Sequence, residues 1–287
     1  MALWVVEVDG RPQLARGPVA GPEELLATSL DVDTILAGDA GELTGVIESA
    51  AVGAVPEDAA VLAPVGNQEV WAAGVTYRRS RDARIHESGV PDSYDRVYDA
   101  PRPELFLKAA PGRIRGPRQP IAVRADSGWD VPEPELCVVV DRRGRVVAYT
   151  VGNDVSSRRI EGENPLYLPQ AKIYRGSCAL GPCLVPIAEA PPLEKMDISL
   201  EVSRDGAVVY ADVVHVADMR RSVEELVAWL FRAQDFPCGV MLMTGTAIVP
   251  SDDFTLHPGD DVHIAITGLG ELSNPVELVG TADPVGR

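Results

Sequence analysis

Apolar and polar positions alternate differently in the two parts of the chain. In the first part the alternation is weak, and Pro22 and Glu23 stand where a short helix would begin. A connection rich in Val, Pro and Gly at 61–66 ends this part, so we expect a small N-terminal domain (1–66) followed by a larger one (67–287). The elements predicted in the first part are a strand at 3–8 and helices at 22–29 and 41–51.

The second part is richer in strands. Its short apolar runs are separated by turn signals such as Asp205-Gly206. Ser222 and Glu225 fit the capping positions of one amphipathic helix. Residues 88–103 form a polar connection whose length is typical of a lid or a binding loop. These patterns predict an α+β fold that is mostly β. The other predicted elements are strands at 70–75, 136–140, 145–151, 198–204, 207–214 and 262–266 and a helix at 76–89.

Composition narrows the class of protein. The 287-residue chain carries a formal net charge of −17, a field that repels polyanions such as nucleic acid. No run of about 18 apolar residues predicts a membrane span, and residues 1–10 lack the features of a signal peptide. Four scattered cysteines without a CxxC pair fit a reducing compartment. We expect a cytoplasmic protein that binds neither nucleic acid nor membranes.

The segment Pro132–Leu136 (PEPEL) contains the first candidate functional residues. Glu133 and Glu135 are two residues apart, so in an extended strand they point to the same face. Pro134 favours the extended form and an edge position in the sheet. Two adjacent carboxylates repel each other unless a cation lies between them. The pair therefore indicates a metal site, with two solvent-facing edge charges as the alternative.

A third carboxylate follows the next predicted strand. If residues 141–144 form the turn of a hairpin, the end of the second strand returns to the start of the first, and Asp154 lands near Glu133 and Glu135. Three carboxylates without a nearby Cys or His favour a hard cation, Mg²⁺, Mn²⁺ or Ca²⁺. Asp154 as an ordinary turn residue is the alternative.

Four segments in order give the sequence a resemblance to the fumarylacetoacetate hydrolase superfamily. This resemblance spans about residues 70–278 and implies a mixed β-sandwich roll with a small N-terminal domain, Mg²⁺ as the cofactor, a small 2-oxo acid as the substrate, and a homodimer or homotetramer. Residues 75–84, 160–172 and 176–184 look closer to the 2-keto-3-deoxy-D-arabinonate dehydratase branch. The four segments are 103–108 (PELFLK), 132–136 (PEPEL), 149–158 (YTVGNDVSSR) and 243–250 with 258–261 (MTGTAIVP and PGDD).

The resemblance also assigns roles to single residues. It implies that Glu133, Glu135 and Asp154 are the metal ligands. Lys172 matches a lysine beside the metal and the substrate, and Thr246 matches a threonine that binds a substrate carboxylate. Two further positions are less typical: Glu161, a substrate-pocket candidate, stands where many members have Gln, and Arg159 stands where members usually have Asp.

Two reactions of a metal-chelated 2-oxo acid remain open. The cation stabilises the enolate that forms when a C3 proton leaves, and the enzyme then either expels a C4 hydroxyl or breaks a C–C bond with activated water. Hydrolases of this superfamily usually carry an HxxE pair, whereas His86 and Glu87 are adjacent here and point in different directions on a helix. This favours a dehydratase that makes 2,5-dioxopentanoate from a 2-keto-3-deoxy pentonate, with an acylpyruvate-type hydrolase as the alternative.

The remaining candidates are less sharply defined. Lys172 is either a general base, which requires a depressed pKa, or a fixed positive charge. Arg84 on the presumed lid either attracts an anionic substrate or belongs to a solvated face, and His86 and Glu87 stay catalytic candidates on that lid. A β-domain that binds Ca²⁺ or another ligand without catalysis is a third reading, which the intact carboxylates and Lys172 disfavour.

Overall fold

The computed structural model describes residues 1–27, 29–38, 42–87 and 91–280, with the backbone alone at 91–94. Within these ranges the chain is mostly β, as predicted. The strands are β1 (Ala2–Val8), β2 (Arg11–Gly17), β3 (Glu24–Leu26), β4 (Ala51–Ala54), β5 (Ala60–Val61), β6 (Glu69–Gly74), β7 (Glu104–Ala109), β8 (Ile121–Arg124), β9 (Asp130–Val131), β10 (Pro134–Val140), β11 (Val146–Asp154), β12 (Ser156–Ser157), β13 (Cys178–Pro186), β14 (Asp197–Arg204), β15 (Ala207–His215), β16 (Val240–Met243), β17 (Asp261–Ile266) and β18 (Gly270–Val279). The α-helices are α1 (Val32–Leu36), α2 (Leu43–Ile47), α3 (Arg78–Glu87), α4 (Pro91–Asp99), α5 (Arg158–Glu163), α6 (Leu168–Lys172) and α7 (Val223–Leu230).

One large sheet contains strands from both the N-terminal part and the larger part of the described chain. Its strand order is β4-β3-β2-β1-β13-β11-β10-β16-β6-β7, and β5 also pairs with β1. The pairing of β1 with β13, with Leu3 opposite Leu184, joins the N-terminal strands to the larger part. The family resemblance begins after this segment, and the division into domains at residue 66 stays a prediction.

Two hydrophobic cores cover the two faces of the large sheet. Along β10 the buried side chains alternate between them, because successive residues of a strand point to opposite faces. Val138 packs in the core shared with Leu200 and Ile264 of the second sheet, whose order is β15-β14-β17-β18-β8. Val139 packs in the other core, which α1 and α2 cover. The result is a sandwich of mixed sheets, in agreement with the predicted fold class.

Most predicted elements are confirmed, including every predicted strand of the second part and the helix at 41–51 in shortened form (α2). The hairpin turn at 141–144 is also present, where the Asp141 carboxylate accepts hydrogen bonds from the backbone N–H groups of Arg143 and Arg145 at 2.9 Å. Ser222 caps α7 by accepting a hydrogen bond from the N–H of Glu225 at 3.1 Å. No helix of the described chain is long and apolar enough to cross a membrane.

Three local predictions are wrong. The helix predicted at 22–29 is replaced by β3, because pairing with β2 and β4 outweighs the local helix signal. The connection at 88–103 contains α4, which packs beside α3. Pro134 does not mark an edge strand: β10 lies between β11 and β16, and the proline is its first residue, where a missing donor is tolerated.

Candidate active site

The hairpin of β10 and β11 brings the three acidic residues together. Pro134 lies opposite Asn153 and Glu135 opposite Gly152. The N–H of Asp154 donates a 2.9 Å hydrogen bond to the carbonyl oxygen of Glu133, which fixes the two backbones. One carboxylate oxygen from each of Glu133, Glu135 and Asp154 lies within 4.8 Å of the others. The predicted convergence of these carboxylates is confirmed, and the alternative of solvent-facing edge charges is wrong because all three are buried.

The pKa values of Glu133 and Glu135 are shifted in opposite directions. Burial raises the pKa of Glu135 well above its ordinary value, and the charges of Asp154 and Glu133 raise it further. Burial acts in the same direction on Glu133, but the charges of Lys172, Arg84 and Arg158 outweigh it and hold the pKa below its ordinary value. Nearby cationic side chains therefore compensate the negative charge of Glu133 more fully than that of Glu135.

Lys172 lies directly against the carboxylates. Its Nζ donates to Glu133 at 2.7 Å, to Asp154 at 2.9 Å and to the hydroxyl of Ser156 at 2.6 Å. Burial lowers the pKa of Lys172, but the charges of Asp154 and Glu133 outweigh it and raise the pKa above its ordinary value. In this arrangement the side chain is an ammonium, which fits the predicted fixed charge better than the predicted general base.

A second lysine, Lys108 at the end of β7, supports the site from behind. Its Nζ lies 2.5 Å from Oδ1 of Asp154, and it donates to the carbonyl oxygens of Val155 at 2.9 Å and Lys172 at 2.5 Å. The side chain is fully buried. Lys108 therefore fixes both a predicted metal ligand and the backbone that carries Lys172.

Arg84 of α3 faces the site. Its side chain is buried, and one guanidinium nitrogen lies 2.6 Å from Oε1 of Glu133 and 3.2 Å from Oε2 of Glu161. Arg78 of the same helix keeps 81% of its side chain exposed. Arg84 therefore matches the prediction of a positive charge that faces the site, whereas Arg78 lies on a solvated face of the helix.

His86 and Glu87 point apart, as adjacent helical residues do. The His86 side chain is 75% exposed and its Nε2 lies 3.2 Å from Asp252, so the structure does not bring this catalytic candidate to the acidic group. The Glu87 carboxylate is buried and accepts hydrogen bonds from two nitrogens of Arg158, at 2.8 Å and 2.6 Å. Arg158 also lies 3.4 Å from Glu133. Glu87 thus ties α3 to the wall of the site.

The segment after β16 supplies a tight turn beside Glu135. The N–H of Gly245 donates a 2.6 Å hydrogen bond to the Glu135 carboxylate. Gly245 has a φ of +95°, and a Cβ there would lie 2.0 Å from the hydroxyl of Thr76. Only glycine fits this position without strain. The turn places Thr246, the predicted carboxylate binder, on the wall of the same cavity.

A narrow cavity with a volume of about 20 Å³ lies above the acidic group. It contains one ionisable residue that the sequence analysis did not single out, Glu104 at the start of β7. Burial is the main cause that raises the pKa of Glu104 to about 7, and the charge of Glu161 raises it further. Gly74 leaves room for this carboxyl, since a Cβ there would lie 2.1 Å from its Oε2. The lining comprises Ala73, Gly74, Val75, Ser80, Arg84, Glu104, Phe106, Glu133, Glu135, Asp154, Glu161, Lys172, Gly245 and Thr246.

The donor set fits a hard divalent cation. All three converging groups are carboxylates, and Mg²⁺ and Ca²⁺ prefer oxygen ligands. The raised pKa of Glu135 agrees with this, because a nearby cation would favour the ionised form that burial and the charges of Asp154 and Glu133 oppose. Glu133, Glu135 and Asp154 would hold such an ion.

The fold and this site define a class of protein. The chain belongs to the fumarylacetoacetate hydrolase family, since the model of the fumarylacetoacetate (FAA) hydrolase C-terminal region matches residues 69–277. The resemblance inferred from the four motifs is thereby confirmed.

Two relatives of this chain carry the names of dehydratases of deoxy sugar acids. A probable 2-keto-3-deoxyxylonate dehydratase of Haloferax volcanii is 47% identical over 263 residues, which cover 92% of this chain and 88% of that protein. The 2-dehydro-3-deoxy-D-arabinonate dehydratase of Saccharolobus solfataricus is 44% identical over 225 residues, covering 77% and 75% of the two chains. A solved structure of 2-keto-3-deoxy-D-arabinonate dehydratase complexed with magnesium and 2,5-dioxopentanoate is 35% identical, has a TM-score of 0.83, and covers 97% of this chain and 99% of its own.

Proposed function

We propose that this protein is a Mg²⁺-dependent dehydratase that converts a 2-keto-3-deoxy pentonate into 2,5-dioxopentanoate. The observation that carries the proposal is the buried carboxylate group beneath a cavity that holds Lys172 and Glu104. Its relatives named as dehydratases, one of them bound to magnesium and the dioxo acid, support the substrate class.

The cavity supplies positive charge for an anionic substrate. When bound, Mg²⁺ supplies a Lewis acid for the carboxylate and 2-oxo oxygens of the acid. Lys172 adds a fixed ammonium at the same wall, and Arg84 a guanidinium. Thr246 also lines this cavity, and its hydroxyl is our candidate for a hydrogen bond to the substrate carboxylate. These local charges attract an anion against the acidic mean field of the protein.

Glu104 is our candidate for moving the proton. A carboxyl with a pKa of about 7 exchanges protons readily in both directions near neutral pH. Among the described residues, none donates a hydrogen bond to this carboxyl, so it is available to a substrate. Glu104 would accept the proton that leaves C3 and pass a proton to the C4 hydroxyl, which departs as water and leaves a C3–C4 double bond. The resulting 5-hydroxy-2-oxo-3-enoate becomes 2,5-dioxopentanoate by tautomerisation, in which a proton leaves C5 and C3 is protonated, and the enol formed at C4 and C5 then becomes the aldehyde. Glu161 remains a substrate-pocket candidate beside Arg84.

The C–C hydrolase alternative is disfavoured by the same geometry. Hydrolases that resemble this chain usually activate water with a His–Glu pair, whereas here His86 is exposed and Glu87 is occupied by Arg158. The test offers purified protein, with Mg²⁺, a 2-keto-3-deoxy pentonate and, separately, acetylpyruvate. We expect dioxo acid from the first substrate, abolished by EDTA, and no pyruvate from the second. Turnover of acetylpyruvate alone would overturn the proposal.

Two further properties belong to this proposal. We propose a cytoplasmic location, supported by four cysteines that are all free thiols. We also propose a homodimer or homotetramer, as the family resemblance implies. Light scattering after size exclusion tests the second, and a monomer at micromolar concentration would contradict it.

A further inference from the structure

Another cavity is lined by three arginines and two glycines. It has a volume of about 480 Å³, and its walls are Gly112, Arg113, Arg115, Arg175 and Gly176. It shares no lining residue with the cavity above the acidic group. We call it the arginine cavity. In a chain with a net charge of −17, three cations around one cavity form a local reversal of the mean field.

Two of these three arginines have no anionic partner among the residues that the structure describes. Across the described ranges, the side chains of Arg113 and Arg175 have no ion pair and no hydrogen-bond acceptor. The nearest carboxylate oxygen to Arg115 belongs to Glu277 and lies 3.9 Å away, at the limit of an ion pair. The Nε of Arg115 is buried and has no acceptor. A buried donor without an acceptor is costly, so an external acceptor would be favourable here.

The backbone around the arginine cavity is held in place. The N–H of Arg115 donates to the carbonyl of Cys178 at 2.9 Å, and its own carbonyl accepts from the N–H of Leu180 at 2.9 Å, which attaches this segment to β13. Gly176 has a φ of +79°, and a Cβ there would lie 2.7 Å from the Cβ of Ala122. The glycine therefore allows the segment of Arg175 to approach β8 closely. The fold therefore holds the backbone segments that carry Arg115 and Arg175 in place beside the arginine cavity.

We propose that the arginine cavity binds a phosphate group, either as free phosphate or as part of a phosphorylated metabolite. A phosphate carries about −1.5 to −2 charges at neutral pH and several acceptor oxygens, which suits three guanidinium groups that donate in planar forks. A monocarboxylate offers half that charge and fewer acceptors. The volume exceeds that of phosphate alone and leaves space for the remainder of a metabolite.

The test is calorimetric titration of the Mg²⁺-loaded protein with inorganic phosphate, and then with a sugar phosphate, at constant ionic strength. Arg113→Gln and Arg175→Gln should each weaken binding at least tenfold. Arg118→Gln is the matched control, since it removes the same charge from the same exposed loop outside the cavity, and it should change affinity less than twofold.

Three outcomes would overturn the proposal. The first is the absence of saturable binding by the wild-type protein. The second is equal affinity in Arg113→Gln and wild type, which would place the phosphate elsewhere, for example at the metal. The third is a change of oligomeric state in the arginine variants without a change in phosphate affinity, which would assign the cavity to a protein contact. Tighter binding of the sugar phosphate than of free phosphate would identify a metabolite as the ligand source.

Discussion

Replacing Lys108 by Met should destabilise the protein more than any other single loss of charge near the site. The methionine keeps most of the apolar stem but removes the ammonium that lies 2.5 Å from Asp154. It also removes the donor to the carbonyl oxygens of Val155 and Lys172, which are 2.9 Å and 2.5 Å from Nζ. Asp154 would remain as a buried charge with one fewer counter-charge.

The size of the effect follows from burial. Removing one member of a buried ion pair typically costs about 3–5 kcal/mol. For a chain of this size each kcal/mol lowers Tm by roughly 2–3 °C, so we expect a decrease of roughly 6–15 °C. This decrease in Tm is expected for metal-free protein, because a bound cation would partly replace the missing charge beside Asp154.

The assay is thermal unfolding in EDTA, followed by circular dichroism, with Lys195→Met as the control. Lys195 is exposed and forms no ion pair with any residue that the structure describes, so its variant should shift Tm by less than about 1 °C. If the two variants unfold at the same temperature, the reasoning on Lys108 is wrong.

Three other variants probe separate parts of the site. Glu104→Gln should lower kcat at least about 100-fold with little change in KM. The wild-type rate should fall as pH drops through about 7, because the carboxylate form of Glu104 that accepts the C3 proton is lost; a pH-independent rate would contradict this. Glu135→Gln should abolish the gain in Tm on adding Mg²⁺, and an unchanged gain would remove Glu135 from the metal site. Glu87→Gln weakens the contact to Arg158 and should raise KM more than it lowers kcat, whereas the reverse would indicate direct catalysis.

The acidic group could be predicted because its geometry is local. Two glutamates at i and i+2 and a hairpin turn fix where Glu133, Glu135 and Asp154 lie, whatever the rest of the fold does. The same period could have revealed Glu104 and Lys108, since these residues and Phe106 occupy one face of β7.

Other features depend on contacts that are distant in sequence. The pairing of Glu87 with Arg158 joins residues 71 positions apart, and no local pattern indicates it. Likewise β3 forms where a helix was predicted, because its partners β2 and β4 come from before and after it in the chain. The left-handed backbone of Gly245 is needed only because Thr76 lies against it. Tertiary packing decides each of these cases.

The most direct test of the central claim is the fate of the carbon chain. A 2-keto-3-deoxy pentonate labelled with ¹³C at C2 would be incubated with the Mg²⁺-loaded protein and followed by NMR. The account predicts one labelled product, the five-carbon 2,5-dioxopentanoate, with all carbon–carbon bonds intact. Labelled pyruvate, which requires cleavage of the bond between C3 and C4, would contradict it.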